Sequence, residues 1–106
     1  MERRHSKRLP VNLNAKVISE EKVFEGTIEN MSGDGLEYYL TSFVKATRDF
    51  TPHKSIKLNL QIPSGEMLSL NCEVVWFLET SPGEKLLGMK VLNPPLTYKE
   101  IIKHLN

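Results

Sequence analysis

Residues Ser55 to Ile62 alternate without a break. Ile56, Leu58, Leu60 and Ile62 are apolar, and Ser55, Lys57, Asn59 and Gln61 are polar. A period of two sends successive side chains to opposite faces, so this segment reads as a strand with one buried and one wet face. The same signal recurs along most of the chain. Val11, Leu13, Ala15 and Val17 alternate with Asn12, Asn14 and Lys16. Phe24, Gly26 and Ile28 share a face in a second strand ending near Asn30, and Leu36, Tyr38 and Leu40 mark a third. Pro63-Ser64-Gly65-Glu66 reads as a turn. Beyond it Leu68, Leu70, Cys72, Val74, Trp76 and Leu78 fall on one face, with Val75 and Phe77 among the polar residues of the other. Ser81-Pro82-Gly83-Glu84 is a further turn, and Leu87, Met89 and Val91 alternate after it. Short strands with regular turn signals predict an antiparallel barrel or sandwich, and closure into a barrel removes exposed edges.

The C-terminus changes period. Asn93-Pro94-Pro95 ends the last strand, since proline cannot donate to a ladder. Thr97-Tyr98-Lys99-Glu100 has the form of a capping box, with Leu96 and Ile101 placed as a hydrophobic staple. Ile101, Ile102 and Leu105 give the short helix an apolar face that must dock on the barrel. Between Thr41 and Lys54 two readings stay open: a short helix with Phe43, Ala46 and Phe50 on one side, or a packed loop.

At 106 residues, 40% hydrophobic and 25% charged, the composition is that of one soluble domain. The longest apolar run, Val74 to Leu78, is far short of a membrane span. Met1-Glu2-Arg3-Arg4-His5 is not followed by an apolar stretch, so a secretory signal is not expected and a cytoplasmic protein is the simplest reading. Cys72 is the lone cysteine, and His5, His53 and His104 are scattered, which leaves no disulfide and no zinc spacing. Nothing sets a base beside a nucleophile, so catalysis is not expected. Trp76 and Cys72 read as core. Of the adjacent Tyr38 and Tyr39, one faces in and one out.

The net charge of +1 argues against a broad basic face for duplex nucleic acid. Its distribution is uneven. Residues 1–16 carry five basic side chains against one acidic, a net of +4; residues 17–106 carry nine against twelve, a net of −3. The chain reads as a basic arm, residues 1–10, on a mildly acidic barrel, residues 11–106.

Two motifs stand out. Arg4-His5-Ser6-Lys7-Arg8 is an R-x-x-x-R pattern before the first strand. Guanidinium forks there can bind phosphate oxygens, take the edge of guanine, or stack on a base; the plain alternative is a solubilising basic tail. Asn30-Met31-Ser32-Gly33-Asp34-Gly35 contains N-x-S-x-x-G between two strands. Taken alone it is ordinary turn chemistry, although Asn30 and Ser32 offer donors and acceptors, and Gly33 and Gly35 permit positive φ and close backbone approach.

Together the motifs resemble the PilZ domain, a bacterial receptor module for cyclic di-GMP. The likeness covers nearly the whole chain and includes Val74-Val75-Trp76, Gly88-Met89-Lys90-Val91 and the terminal helix. The resemblance implies a single-domain member: a six-stranded antiparallel β-barrel with a C-terminal α-helix. Arg4 and Arg8 would correspond to the arginines that bind phosphate and guanine. Asn30 and Ser32 would bond to guanine or phosphate, and Gly35 would serve through its backbone. Arg48 or Lys90 are candidates for a further charge. The sequence departs from the pattern at His53-Lys54-Ser55, where glycine is expected before the fourth strand, and near Val91, where an aromatic is usual.

The implied function is a non-enzymatic cyclic di-GMP receptor, without cofactor or metal. It would pass the signal to a protein partner in motility, attachment or exopolysaccharide control, as monomer or homodimer, without membrane insertion. The alternatives are a PilZ-like protein-interaction module that binds no nucleotide, and a barrel that binds single-stranded nucleic acid through arginines and aromatics.

Overall fold

The computed structural model describes residues 8–41, 50–62, 64–81 and 84–105. Six strands and one helix follow in order: β1 (Leu9–Ser19), β2 (Lys22–Met31), β3 (Gly35–Leu40), β4 (Ser55–Gln61), β5 (Met67–Ser81), β6 (Glu84–Leu92) and α1 (Leu96–Leu105). All pairings are antiparallel, and the sheet closes in the order β1-β2-β3-β6-β5-β4. Pairing of β1 with β4 satisfies the last two edges, as the recurrent short alternating segments led us to expect.

The alternating residues fill the barrel. Val17, Ile28, Leu36, Leu58, Leu60 and Leu87 are fully buried, and burial of each such side chain contributes about 1.5–3 kcal/mol. Tyr38 faces in, its phenol donating to the Ala15 carbonyl oxygen at 2.8 Å, while Tyr39 is half-exposed. Cys72 is buried. Phe50, within the segment left open by sequence, is also buried. It meets Phe24 edge-on at 5.1 Å and stacks on Phe77 at 5.9 Å. Residues 42–49 fall outside the described part of the chain.

Three sequence expectations are corrected. The first concerns the helix cap. The Lys99 amide bonds to the Pro95 carbonyl oxygen at 3.2 Å, so Pro95 takes the cap position and Thr97 lies inside the first turn. Leu96 is 71% exposed and staples nothing. The side chain that docks the helix is Tyr98, at 0% exposure, and Ile101 and Ile102 also pack against the core.

The second concerns Trp76. Strand β5 carries a bulge between Val74 and Trp76. An extra residue reverses the facing of everything after it. Val74 is in the core, Phe77 packs against the core, and Trp76 and Leu78 are turned to the outer wall. Trp76 is therefore half-buried outside the barrel, not within it.

The third concerns the turn glycines. Among the described glycines Gly65 has positive φ, at 99°, and neither Gly33 nor Gly35 does. The left-handed region is instead taken by Glu20, Glu21, His53 and Asn93. His53, with φ 74°, stands where the resemblance calls for glycine, and its backbone explains that preference.

Candidate functional site

Arg8, the last residue of the R-x-x-x-R motif, meets the N-x-S-x-x-G motif in space. Arg8 directly precedes β1, and antiparallel pairing sets Pro10 opposite Asn30 at the end of β2. Arg8 Nη1 donates to Asn30 Oδ1 at 2.6 Å, and Asn30 Nδ2 donates to Glu37 Oε1 at 2.9 Å. Both bonds are partly buried. A guanidinium only donates and an ionised carboxylate only accepts, so the two neighbours dictate which way the Asn30 amide faces.

Asn30 reaches this position through a bulge. Strand β2 shifts register against β3 between Ile28 and Asn30. Strict alternation would place Asn30 on the same face as Ile28, inside the core. The extra residue turns Asn30 outward and delivers Met31, fully buried, to the interior. A further shift lies in β1 between Pro10 and Leu13.

The outward residues form one row around the wall. Pro10 pairs with Asn30, Asn30 with Glu37, Glu37 with Gly88, and Gly88 with Trp76. Five strands thus contribute one residue each. Two of the row's members, Asn30 and Trp76, face outward because of bulges. Gly88 has no side chain to obstruct Trp76; a Cβ there would lie 2.3 Å from the indole ring. Trp76 and Gly88, which carried part of the family likeness, lie in the same cross-strand row as Asn30.

Beside the row lies the motif turn. The Ser32 amide donates to the Gly35 carbonyl oxygen at 2.8 Å. The Ser32 hydroxyl bonds to Asp34 Oδ1 at 2.9 Å, with the Gly35 carbonyl oxygen at 3.2 Å. Ser32 is 1% exposed, so its hydroxyl closes the turn. Gly35 is required for space: a Cβ would sit 2.7 Å from the Met89 carbonyl oxygen on β6. Arg4 and Arg48 lie outside the described residues. Lys90 is exposed and pairs in register with Gly35.

Sequence reasoning passed over two participants. Tyr98 donates from its phenol to the Ser32 carbonyl oxygen at 2.6 Å, with Gly35 O at 3.3 Å, tying the helix to the turn. Burial pushes its pKa well above the usual tyrosine range, the nearby Cys72 and Asp34 add to this, and the Arg8 charge opposes it. Glu37 is the other; its position between buried Leu36 and Tyr38 marked it only as an outward residue. Burial also pushes the Cys72 thiol up to about 12, so at neutral pH it is protonated and a poor nucleophile.

A separate cleft of about 730 Å³ lies between Asn14, Lys16, Glu25, Thr27, Asn59 and Met67. No residue of either motif lines it. Among the described residues no three His, Cys, Asp or Glu side chains gather as a metal site, and no helix is long and apolar enough to cross a membrane.

Comparison with known proteins identifies the family and the fold. The family model described as "PilZ domain" matches residues 2–106. No curated protein sequence matches. Among solved structures, the Bacillus subtilis inhibitor of motility (MotI/DgrA) is similar with a TM-score of 0.76 at 13% identity, over 96% of this chain and 48% of that one. The PilZ domain of YcgR from Escherichia coli, solved with c-di-GMP, gives 0.78 at 10% identity, over 96% of this chain and 87% of that one. PlzA of Borreliella burgdorferi, in complex with c-di-GMP, gives 0.64 at 16% identity, over 93% and 49%. The chain thus spans about half the length of the MotI and PlzA chains it matches. At these identities the likeness is one of fold.

Proposed function

The chain belongs to the PilZ family, and from that premise we propose that it is a receptor for cyclic di-GMP. The observation that carries the reading is the 2.6 Å bond between Arg8 and Asn30. It brings the last arginine of R-x-x-x-R against the first residue of N-x-S-x-x-G, which supports reading the motifs as one site.

The chemistry suits the ligand. Cyclic di-GMP carries two phosphates and two guanines. The Arg8 guanidinium has five donors in a fork, and its bond to Asn30 uses one. Arg4 and Arg8 would grip phosphate oxygens or the O6 and N7 edge of guanine. Asn30 would contribute its amide, Ser32 its hydroxyl after exchange of its turn bond, and Gly35 the close backbone packing of the corner. A basic arm of net +3 over residues 1–10 suits a small dianion at one place. Fixing the Arg4 and Arg8 side chains on a ligand costs conformational entropy, which charge-assisted bonds must offset.

We assign the chain no reaction. It would act in the bacterial cytoplasm by changing the contact between arm and barrel, and so the surface offered to a protein partner controlling motility, attachment or exopolysaccharide production. The turn is bonded to Tyr98 of α1, which gives a route from site to helix. One observation favours the alternative, an interaction module without nucleotide: the Ser32 hydroxyl is buried and engaged within its own turn. Titration calorimetry with cyclic di-GMP separates the two. Heat of binding at micromolar ligand, lost in Ser32→Ala, supports the receptor; a silent titration of the wild-type chain supports the module.

A further inference from the structure

We infer that Glu37 is a positioning residue for Arg8, acting through Asn30; the inference rests on the receptor reading above and deepens it. Glu37 lies on the outer face of β3, between buried Leu36 and Tyr38. Its cross-strand neighbours are Asn30 on β2 and Gly88 on β6. Its carboxylate accepts from Asn30 Nδ2 at 2.9 Å, and Asn30 Oδ1 accepts from Arg8 at 2.6 Å.

An asparagine amide has a donor end and an acceptor end of nearly the same shape. Arg8 only donates, so it can use just the acceptor end, and any donor at position 37 would compete for that same end. A carboxylate that only accepts removes the competition. It holds the donor end and thereby turns the acceptor end to Arg8. Arg8 is then oriented at the mouth of the motif turn before any ligand arrives. Such preorganisation lowers the entropy cost of binding.

The role runs against simple electrostatics. A carboxylate beside a phosphate site repels the ligand, so a through-space charge effect and the positioning effect have opposite signs. Glu37→Lys discriminates them. By charge alone, the new ammonium raises affinity for a dianion. By positioning, a donor at position 37 draws Oδ1 of Asn30 to itself, points the amide donors at Arg8, and releases the guanidinium.

The test is calorimetry with cyclic di-GMP on the wild type, Glu37→Gln, Glu37→Lys, Asn30→Asp and the Asn30→Asp/Glu37→Lys double variant, with thermal melts to confirm folding. The glutamine variant keeps an acceptor and is expected within about twofold of wild type. The lysine variant is expected to bind roughly tenfold more weakly, the worth of a charged hydrogen bond. In the Asn30→Asp background both side-chain oxygens accept, so Glu37→Lys is expected to cost nothing there. Tighter binding by Glu37→Lys, or an equal loss in both backgrounds, overturns the inference while wild-type binding upholds the receptor. If the wild type does not bind, the receptor reading fails. The positioning is then decided by the Asn30 side-chain amide resonances and the Arg8 guanidinium resonances. A shift in both on Glu37→Lys, with neither moving on Glu37→Gln, supports it; unchanged spectra overturn it.

Discussion

The phenol of Tyr98 donates to the carbonyl oxygen of Ser32 at 2.6 Å, across 66 residues of sequence. Both groups are buried. The bond makes the C-terminal helix part of the wall behind the motif turn. Tyr98→Phe keeps the ring and removes the donor, leaving the Ser32 carbonyl without that partner. A loss of about 1–2 kcal/mol is expected, measured by urea denaturation. Tyr98→Ala also empties the pocket and should cost about 3–5 kcal/mol.

Gly35 tests the packing of the same turn from the other side. The Cβ of Gly35→Ala would lie 2.7 Å from the Met89 carbonyl oxygen, which is backbone and cannot swing aside. Strands β3 and β6 must separate there, at a cost of about 1–3 kcal/mol. Thermal melts check the stability. The amide spectrum should show shifts concentrated at residues 32–37 and 87–91.

His53 holds a left-handed backbone, φ 74°, just before β4. Its ring bonds to Glu73 at 2.9 Å, but the side chain is 88% exposed, so that pair adds little. His53→Gly relieves the strain of the left-handed region, worth about 1 kcal/mol before the added freedom of the unfolded chain is subtracted. A small rise in melting temperature is expected, and a fall would mean that the freedom added to the unfolded chain outweighs the relieved strain.

Alkaline pH should destabilise the fold. Burial raises the Cys72 thiol from 9.0 to about 12, and burial also raises the Tyr38 and Tyr98 phenols. An acid whose folded pKa is raised stabilises the protein fully below its unfolded pKa and loses that contribution as pH climbs toward the folded value. Stability from these groups should be level near neutrality and fall from about pH 9 upward. Melts across that range check it. Cys72→Ser should leave the phenol part of the decline in place.

Much of this architecture is legible in the sequence, and the gaps have definite causes. Alternation locates six strands because each has one wet face. It misplaces Trp76 because a single extra residue in β5 inverts the facing. The corresponding inversion in β2 does leave a trace: the apolar series Phe24, Gly26, Ile28 resumes at Met31, three residues on. The capping box at Thr97 misleads because local chemistry there competes with Pro95, whose fixed ring already ends the strand and starts the helix. Tyr98 is hidden for the same reason, as a residue within a supposed cap. Arg8, Asn30, Ser32 and Gly35 are found by motif alone. That Arg8 touches Asn30, and that Glu37 joins them, depends on register between strands, which no local pattern encodes.

We propose that Arg8 and Asn30 form one half of a cyclic di-GMP site, and calorimetry of the wild-type chain beside Arg8→Ala, with melts of both proteins, is the sharpest test of it. Saturable binding by the wild type with a defined stoichiometry is expected. Affinity should fall at least roughly tenfold in Arg8→Ala, the value of a charged hydrogen-bonding group, while the melting temperature changes little. Equal affinity in the two proteins, or no binding by a folded wild type, would contradict it.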